Sequence, residues 1–454
     1  MGSISSFTIK DEPIENLRPL KGIGGTCPGC ACDIPSHSYQ YSFDPNPDWS
    51  SLYAPAAEIC AYLQGIAKTK LGIENISTGE TFEDDADVLI SARGSLNNIT
   101  WPDIPGLNAF QGEVMHSAKW NQNYDFQNKI LKLTVSLAAM ESMGFDANQP
   151  EFSPEQRKEF ANNPQALQSF RRIIEVAGNT IHWASFRDSE VQKYALLVIR
   201  ATMKDRLAKK PDILEALVPS FAVGCRRLTP GPGYLEALTA PNVDIISEEI
   251  DSITSNYVRL ESGKEIHLDV LVCATGFHTT NIPRFSIIGK HGQSLEKRFT
   301  PYSETYLSIT VNNFPNLLMM LGPNSNIGSG SLTRILESEG DYIVKCIRKL
   351  QKEDSASMVP KKQRVNDFSE YCKAYFEKTI YLDECRSWYK DPELNRITGL
   401  WPGSTLHALE AFRSPRWEDF EYEPRKGSGG ECNALNRLGN GWSVTQLGAG
   451  DQAW

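Results

Sequence analysis

Three stretches of this 454-residue chain hold side chains whose types and spacing suit chemistry. The first runs from Phe110 to Trp120 and reads F-x-G-x3-H-x3-W, with Phe110, Gly112, His116 and Trp120 as its fixed positions. An imidazole and an indole four residues apart can serve a binding site, or can pack locally in a surface loop, and the surrounding chain has to decide. The second is Cys27-Pro28-Gly29-Cys30-Ala31-Cys32-Asp33. Its thiols have redox or metal spacing, yet no second C-x-x-C pair completes a tetrahedral site. The third is Gly224-Cys225-Arg226-Arg227, in a stretch rich in Gly and Pro. A guanidinium there keeps its proton and can hold developing negative charge, while the plainer reading is a solvated surface pair.

Those residues need elements to position them. Residues 50–68 predict a helix with Pro55 in its first turn and Ile59, Tyr62, Leu63 and Ile66 on one face. Residues 87–92 read as a buried strand. Ser153-Pro154-Glu155-Gln156 carries an N-cap, a proline at the first helical position and a capping-box glutamine, and opens a helical region reaching Leu217. Tyr257–Leu260 and Glu265–Leu268 alternate about Glu261–Lys264 as a hairpin should, and Asp269–Cys273 is a buried strand leading into Ala274-Thr275-Gly276-Phe277. Asn316–Leu321 reads as a further strand. Ser331–Glu353 is an amphipathic helix with Ile335, Ile343, Cys346, Ile347 and Leu350 on its apolar face.

The totals limit the function classes. Forty per cent hydrophobic and 22% charged residues describe a globular chain, and a net charge of -10 argues against a nucleic-acid partner. No run matches a membrane-spanning helix, and no secretory leader opens the chain, so the cytoplasm is the expected location. Met1–Ser6 fits the loose N-myristoylation pattern, which alone gives only marginal membrane binding. In that compartment the ten cysteines are expected mostly as thiols.

The Phe110–Trp120 pattern resembles the fingerprint of the Baeyer-Villiger monooxygenases, flavoproteins that insert one atom of O2 beside a ketone carbonyl using FAD and NADPH. The likeness covers most of residues 15–424 and is nearest to fungal FAD-binding monooxygenases of polyketide pathways of the aflatoxin and sterigmatocystin type. It implies an α/β fold built from FAD- and NADP-binding Rossmann-like domains. Residues 1–125 would form the first part of the FAD domain, 126–277 the NADP domain with a helical segment, 278–424 the rest of the FAD domain, and 425–454 a Gly-rich tail. In such a protein Gly24, Gly25, Thr26, Asp33 and Tyr39 lie at the flavin, His116 and Trp120 lie where the domains connect, and Arg227 is catalytic. Leu400–Gly403 and Arg413–Trp417 look like substrate-side loops. The implied partners are FAD, NADPH, O2 and a small-molecule ketone, with no metal.

The sequence departs from that pattern at the phosphate-binding units. No apolar strand, G-x-G-x-x-G triplet and helix stand between Leu20 and Gly22, and Cys27 follows Thr26 where tryptophan is expected. After Trp120 no glycine appears between Asn121 and Phe145 except Gly144, so the second fingerprint is missing as well. Arg93-Gly94-Ser95 stands where relatives carry A-T-G. The expectation is therefore a two-dinucleotide-domain protein incomplete at both nucleotide-binding βαβ units, with a non-redox remnant that no longer binds FAD as the alternative.

Overall fold

In this computed structural model the described residues are 30–70, 85–94, 98–121, 123–125, 131–134, 151–227, 233–279, 281–283, 285–391, 393–426, 434–438 and 441–442. Helices and five small sheets alternate along them.

Val270-Leu271-Val272-Cys273 is apolar at every position, which suits a strand buried on both faces. It forms β7, all four residues buried, between β2 (Glu113–His116) and β3 (Leu131–Thr134), both parallel to it. A chain strand therefore does follow the Phe110–Trp120 stretch, at β3. The hairpin forms as its alternation requires: β5 (Tyr257–Leu260) pairs antiparallel with β6 (Glu265–His267) and with β4 (Ile250–Ile253). Val258 and Leu260 pack with Phe110 and Leu271, joining this meander to the parallel sheet.

β1 (Leu89–Ser91) runs parallel to β8 (Leu317–Met319). β8 is buried throughout, but β1 is not: Ile90 is 44% exposed. The expected buried strand is thus shorter and more open, because β8 is its single strand neighbour among the described residues. Beyond it, β9 (Ser355–Pro360) pairs with β12 (Phe420–Pro424), and β10 (Lys390–Asp391) with β11 (Arg396–Ile397).

Capping chemistry sets the helical region. Ser153 Oγ accepts from the Gln156 amide at 3.2 Å, and the Gln156 side chain accepts from the Ser153 amide at 2.9 Å, opening the helix Pro154–Asn162. Helices Pro164–Thr180 and Glu190–Arg206 follow. The largest core lies around the helix Leu332–Lys352, whose Ile335, Tyr342, Ile343, Cys346 and Leu350 pack against Phe376, Trp401 and Phe412. Leu400 and Trp401, on a short irregular segment, are buried there, with the indole N–H donated to His407 Nδ1 at 3.0 Å. No helix among the described residues is long and apolar enough to cross a membrane.

Candidate functional site

The segment Asp33–Tyr39 is fixed by its own small polar residues. Pro35 sets the backbone for a 3-10 turn over Ser36–Ser38. Ser36 Oγ donates to the carbonyls of Ser51 and Leu52 and accepts from the Ala54 amide at 2.8 Å. The Ser38 carbonyl accepts from Ser331 and Thr333 hydroxyls at 2.7 and 3.0 Å, which anchors the turn to the start of the helix Leu332–Lys352.

That anchoring presents Asp33 to Arg227, 194 residues away in sequence. The pair is two-pronged, with Nε on one carboxylate oxygen and Nη2 3.3 Å from the other. Nη1 reaches the Ile327 carbonyl only at 3.5 Å. Burial works against the guanidinium charge, but Asp33 and the neighbouring Tyr389 more than offset it and hold the Arg227 pKa above its ordinary value. Tyr39 stands on the same segment, its hydroxyl pushed up by burial and then by Asp33, while burial pushes Tyr389 up to about 12. The corner therefore carries a permanent cation with neutral phenols around it.

Arg226, next in the chain, lines a cavity of about 320 Å³ together with Val223, Gly224, Met203, Leu235 and Gly328. Its wall is mainly apolar and comes from the helix Glu190–Arg206 and the loop that holds the two arginines.

Cys225, expected as a thiol, is instead joined to Cys385 in a disulfide. The expectation rested on compartment alone, and the fold brings the two within 6.4 Å between Cα atoms. Cys30 and Cys32 of the N-terminal cluster remain thiols, with Cys32 buried.

His116 closes β2 and is buried. Its Nδ1 accepts from the Ala118 amide at 3.1 Å, so Nε2 carries the hydrogen. Burial lowers its pKa and keeps it neutral. The ring packs on Trp101 and Phe277, and so meets the Ala274–Phe277 segment. Trp120 covers Met115, Val270 and Val272 on the parallel sheet. The structure thus joins Asp33, Tyr39 and Arg227 in one corner and places His116 and Trp120 in another, while Gly24, Gly25 and Thr26 lie outside the described residues. Tyr389 and the disulfide were missed by sequence reasoning. Only Cys225, adjoining the arginine pair, offered a signal.

Comparison with known proteins bears on what this arrangement is for. No family model matches the chain. The FAD-binding monooxygenase tazF of Aspergillus terreus is 32% identical, over 92% of this chain and 85% of that protein. The chain belongs to the FAD-binding monooxygenase family. Another member, stcW of Emericella nidulans, is 31% identical over 95% of this chain and 81% of its own length. A Baeyer-Villiger monooxygenase of Pseudomonas aeruginosa is 27% identical over 85% and 82%. Among solved structures, cyclohexanone monooxygenase from Rhodococcus sp. Phi1 bound to NADP+ superposes with a TM-score of 0.72 at 19% identity, covering 88% of this chain and 91% of that one. A complex of OTEMO with FAD and NADP gives 0.73 at 18% identity, covering 88% and 92%. The family member thus has the α/β fold of flavin monooxygenases with two dinucleotide-binding domains, and it is an enzyme of the flavin-dependent monooxygenase class by this likeness.

Proposed function

We propose that this chain oxygenates an apolar ketone in the Baeyer-Villiger manner with FAD, NADPH and O2, as a step in fungal polyketide secondary metabolism. The observation that carries the reading is the Asp33–Arg227 pair, adjoining in the chain Arg226, which lines an apolar cavity. A flavin would be held at that corner by Arg227, whose guanidinium Asp33 keeps charged and so able to face an anionic group. FAD, when bound, supplies oxygen activation with NADPH as the hydride source. Arg227 holds the negative charge that develops, Asp33 fixes the guanidinium plane, and Tyr389 shields the pair from the core side. Asp33 and Tyr39, with Gly24, Gly25 and Thr26, are assigned to the flavin, and His116 and Trp120 to the junction with the NADP side. On this reading residues 1–125 and 278–424 form the FAD domain, 126–277 the NADP domain and 425–454 a tail.

The missing glycine triplets favour one rival, a remnant that keeps the fold and binds no FAD. The absorbance of the purified chain after incubation with FAD and desalting separates the two. Retained flavin bands, followed by ketone-dependent NADPH oxidation, support the enzyme; a colourless chain supports the remnant.

A further inference from the structure

Both halves of the Arg227 corner lie on segments without helix or strand. Residues 221–227 and 383–389 form bends and turns, so no backbone ladder fixes one against the other. The Ala222 amide donates to Asp383 at 3.3 Å, and Lys390 Nζ and Arg187 also hold Asp383. Arg226 and Arg386 each adjoin one of the bonded cysteines, and after burial the Arg386 charge lowers the Arg226 pKa.

The covalent link between the segments is Cys225–Cys385, whose cysteines are 0% and 5% exposed. Cys225 stands two residues before Arg227, and Cys385 four before Tyr389. A bond between residues 160 apart ties the two segments covalently, in addition to constraining the unfolded chain.

We propose that the Cys225–Cys385 disulfide is the positioning crosslink of the Arg227 corner, so that productive oxygenation belongs to the oxidised chain. The inference rests on the monooxygenase reading for its catalytic consequence and on geometry alone for its structural one. Cys225 and Cys385 touch no reacting group and act through Arg227.

The test uses the full chain. Non-reducing peptide mass spectrometry must find 225 linked to 385; free thiols at both positions would overturn the proposal. The double variant C225S/C385S is then compared with wild type by hydrogen exchange over residues 221–227 and 383–389. Exchange in both segments should rise about tenfold or more. With FAD loaded, the fraction of NADPH oxidation ending in product should fall roughly fivefold, with hydrogen peroxide making up the difference and the KM for NADPH within about twofold of wild type. Unchanged exchange and unchanged coupling would overturn the proposal. Should the double variant not fold, wild type is treated with dithiothreitol, one dithiol closing to its cyclic disulfide as Cys225 and Cys385 become two thiols, and the same exchange is read. A chain that takes up no flavin but shows the exchange response sinks the monooxygenase reading and leaves the crosslink standing.

Discussion

Asp33 and His37 stand four residues apart on one short segment and meet opposite surroundings. Asp33 faces a guanidinium that comes from far along the chain. His37, 0% exposed, sits among Phe152, Phe160 and Phe170, with ring centroids at 5.1, 5.3 and 5.1 Å and, among the described residues, no hydrogen-bond partner for either nitrogen. The Asp33–Arg227 pair is half-buried and His37 fully buried, and one setting stabilises charge while the other refuses it. Burial itself does not decide ionisation; the partner does. The difference also separates tasks: the charged corner adjoins Arg226, which lines the cavity, whereas the phenyl cage docks the helices Pro154–Asn162 and Pro164–Thr180 onto the segment that carries Asp33.

The strongest way to break the comparison is to remove the cation. Arg227→Ala should lower kcat about 10²- to 10³-fold, the usual loss of a group that stabilises developing negative charge, while flavin uptake persists. Steady-state kinetics beside the flavin spectrum check it. Near-normal turnover in a flavin-loaded variant would remove Arg227 from the chemistry.

A third buried group extends the contrast. Glu339, 0% exposed, accepts only the Leu321 amide at 3.0 Å, and burial raises its pKa to about 8. Because the folded value lies above the unfolded one, its contribution is full below about pH 4.5 and is lost as pH rises through 8. Glu339→Gln keeps the acceptor and does not titrate. It should leave stability near wild type at low pH and raise it by roughly 2–4 kcal/mol once the glutamate would ionise. Urea midpoints across that range test it, and parallel curves for the two proteins would reject it.

The phenyl cage predicts the opposite slope. Burial lowers the His37 pKa to about 4, so its stability is present above the ordinary value of 6.5 and is lost as pH falls toward 4. Roughly 2–3 kcal/mol should disappear over that interval. His37→Phe should flatten it, since a fourth phenyl ring has no proton to take up. An unchanged acid slope in the variant would show that other groups set it.

Much of this was legible where the determinants are local. Ser153 and Gln156 specify a helix start within four residues, and Val270–Cys273 announces a buried strand by composition. The hairpin around Ser262–Gly263 follows from alternation and turn chemistry. The resemblance singled out Asp33 and Arg227 separately, but no local period marks their pairing, because topology makes it. Tyr389 and Cys385 carried no signal for the same reason. His37 was hidden differently: its cage comes from phenylalanines on two helices whose packing angle is set only in the assembled fold. β1 was misread because burial depends on neighbours that a strand's own residues do not name.

The smallest expected effect asks how the charged corner works. Asp33→Asn removes the counter-charge but can retain one hydrogen bond to the guanidinium. Arg227 stays protonated even so, since an arginine without its carboxylate still titrates far above neutral pH. What is lost is the two-pronged orientation, so kcat should fall about tenfold with no new ionisation in its pH profile. Kinetics from mildly acid to mildly alkaline pH distinguish the outcomes. A flat tenfold loss means that Asp33 fixes a plane. A loss that appears only on one side of a titration would mean that the carboxylate exchanges a proton during turnover, and the corner would then be a proton-transfer site as well as a charge clamp.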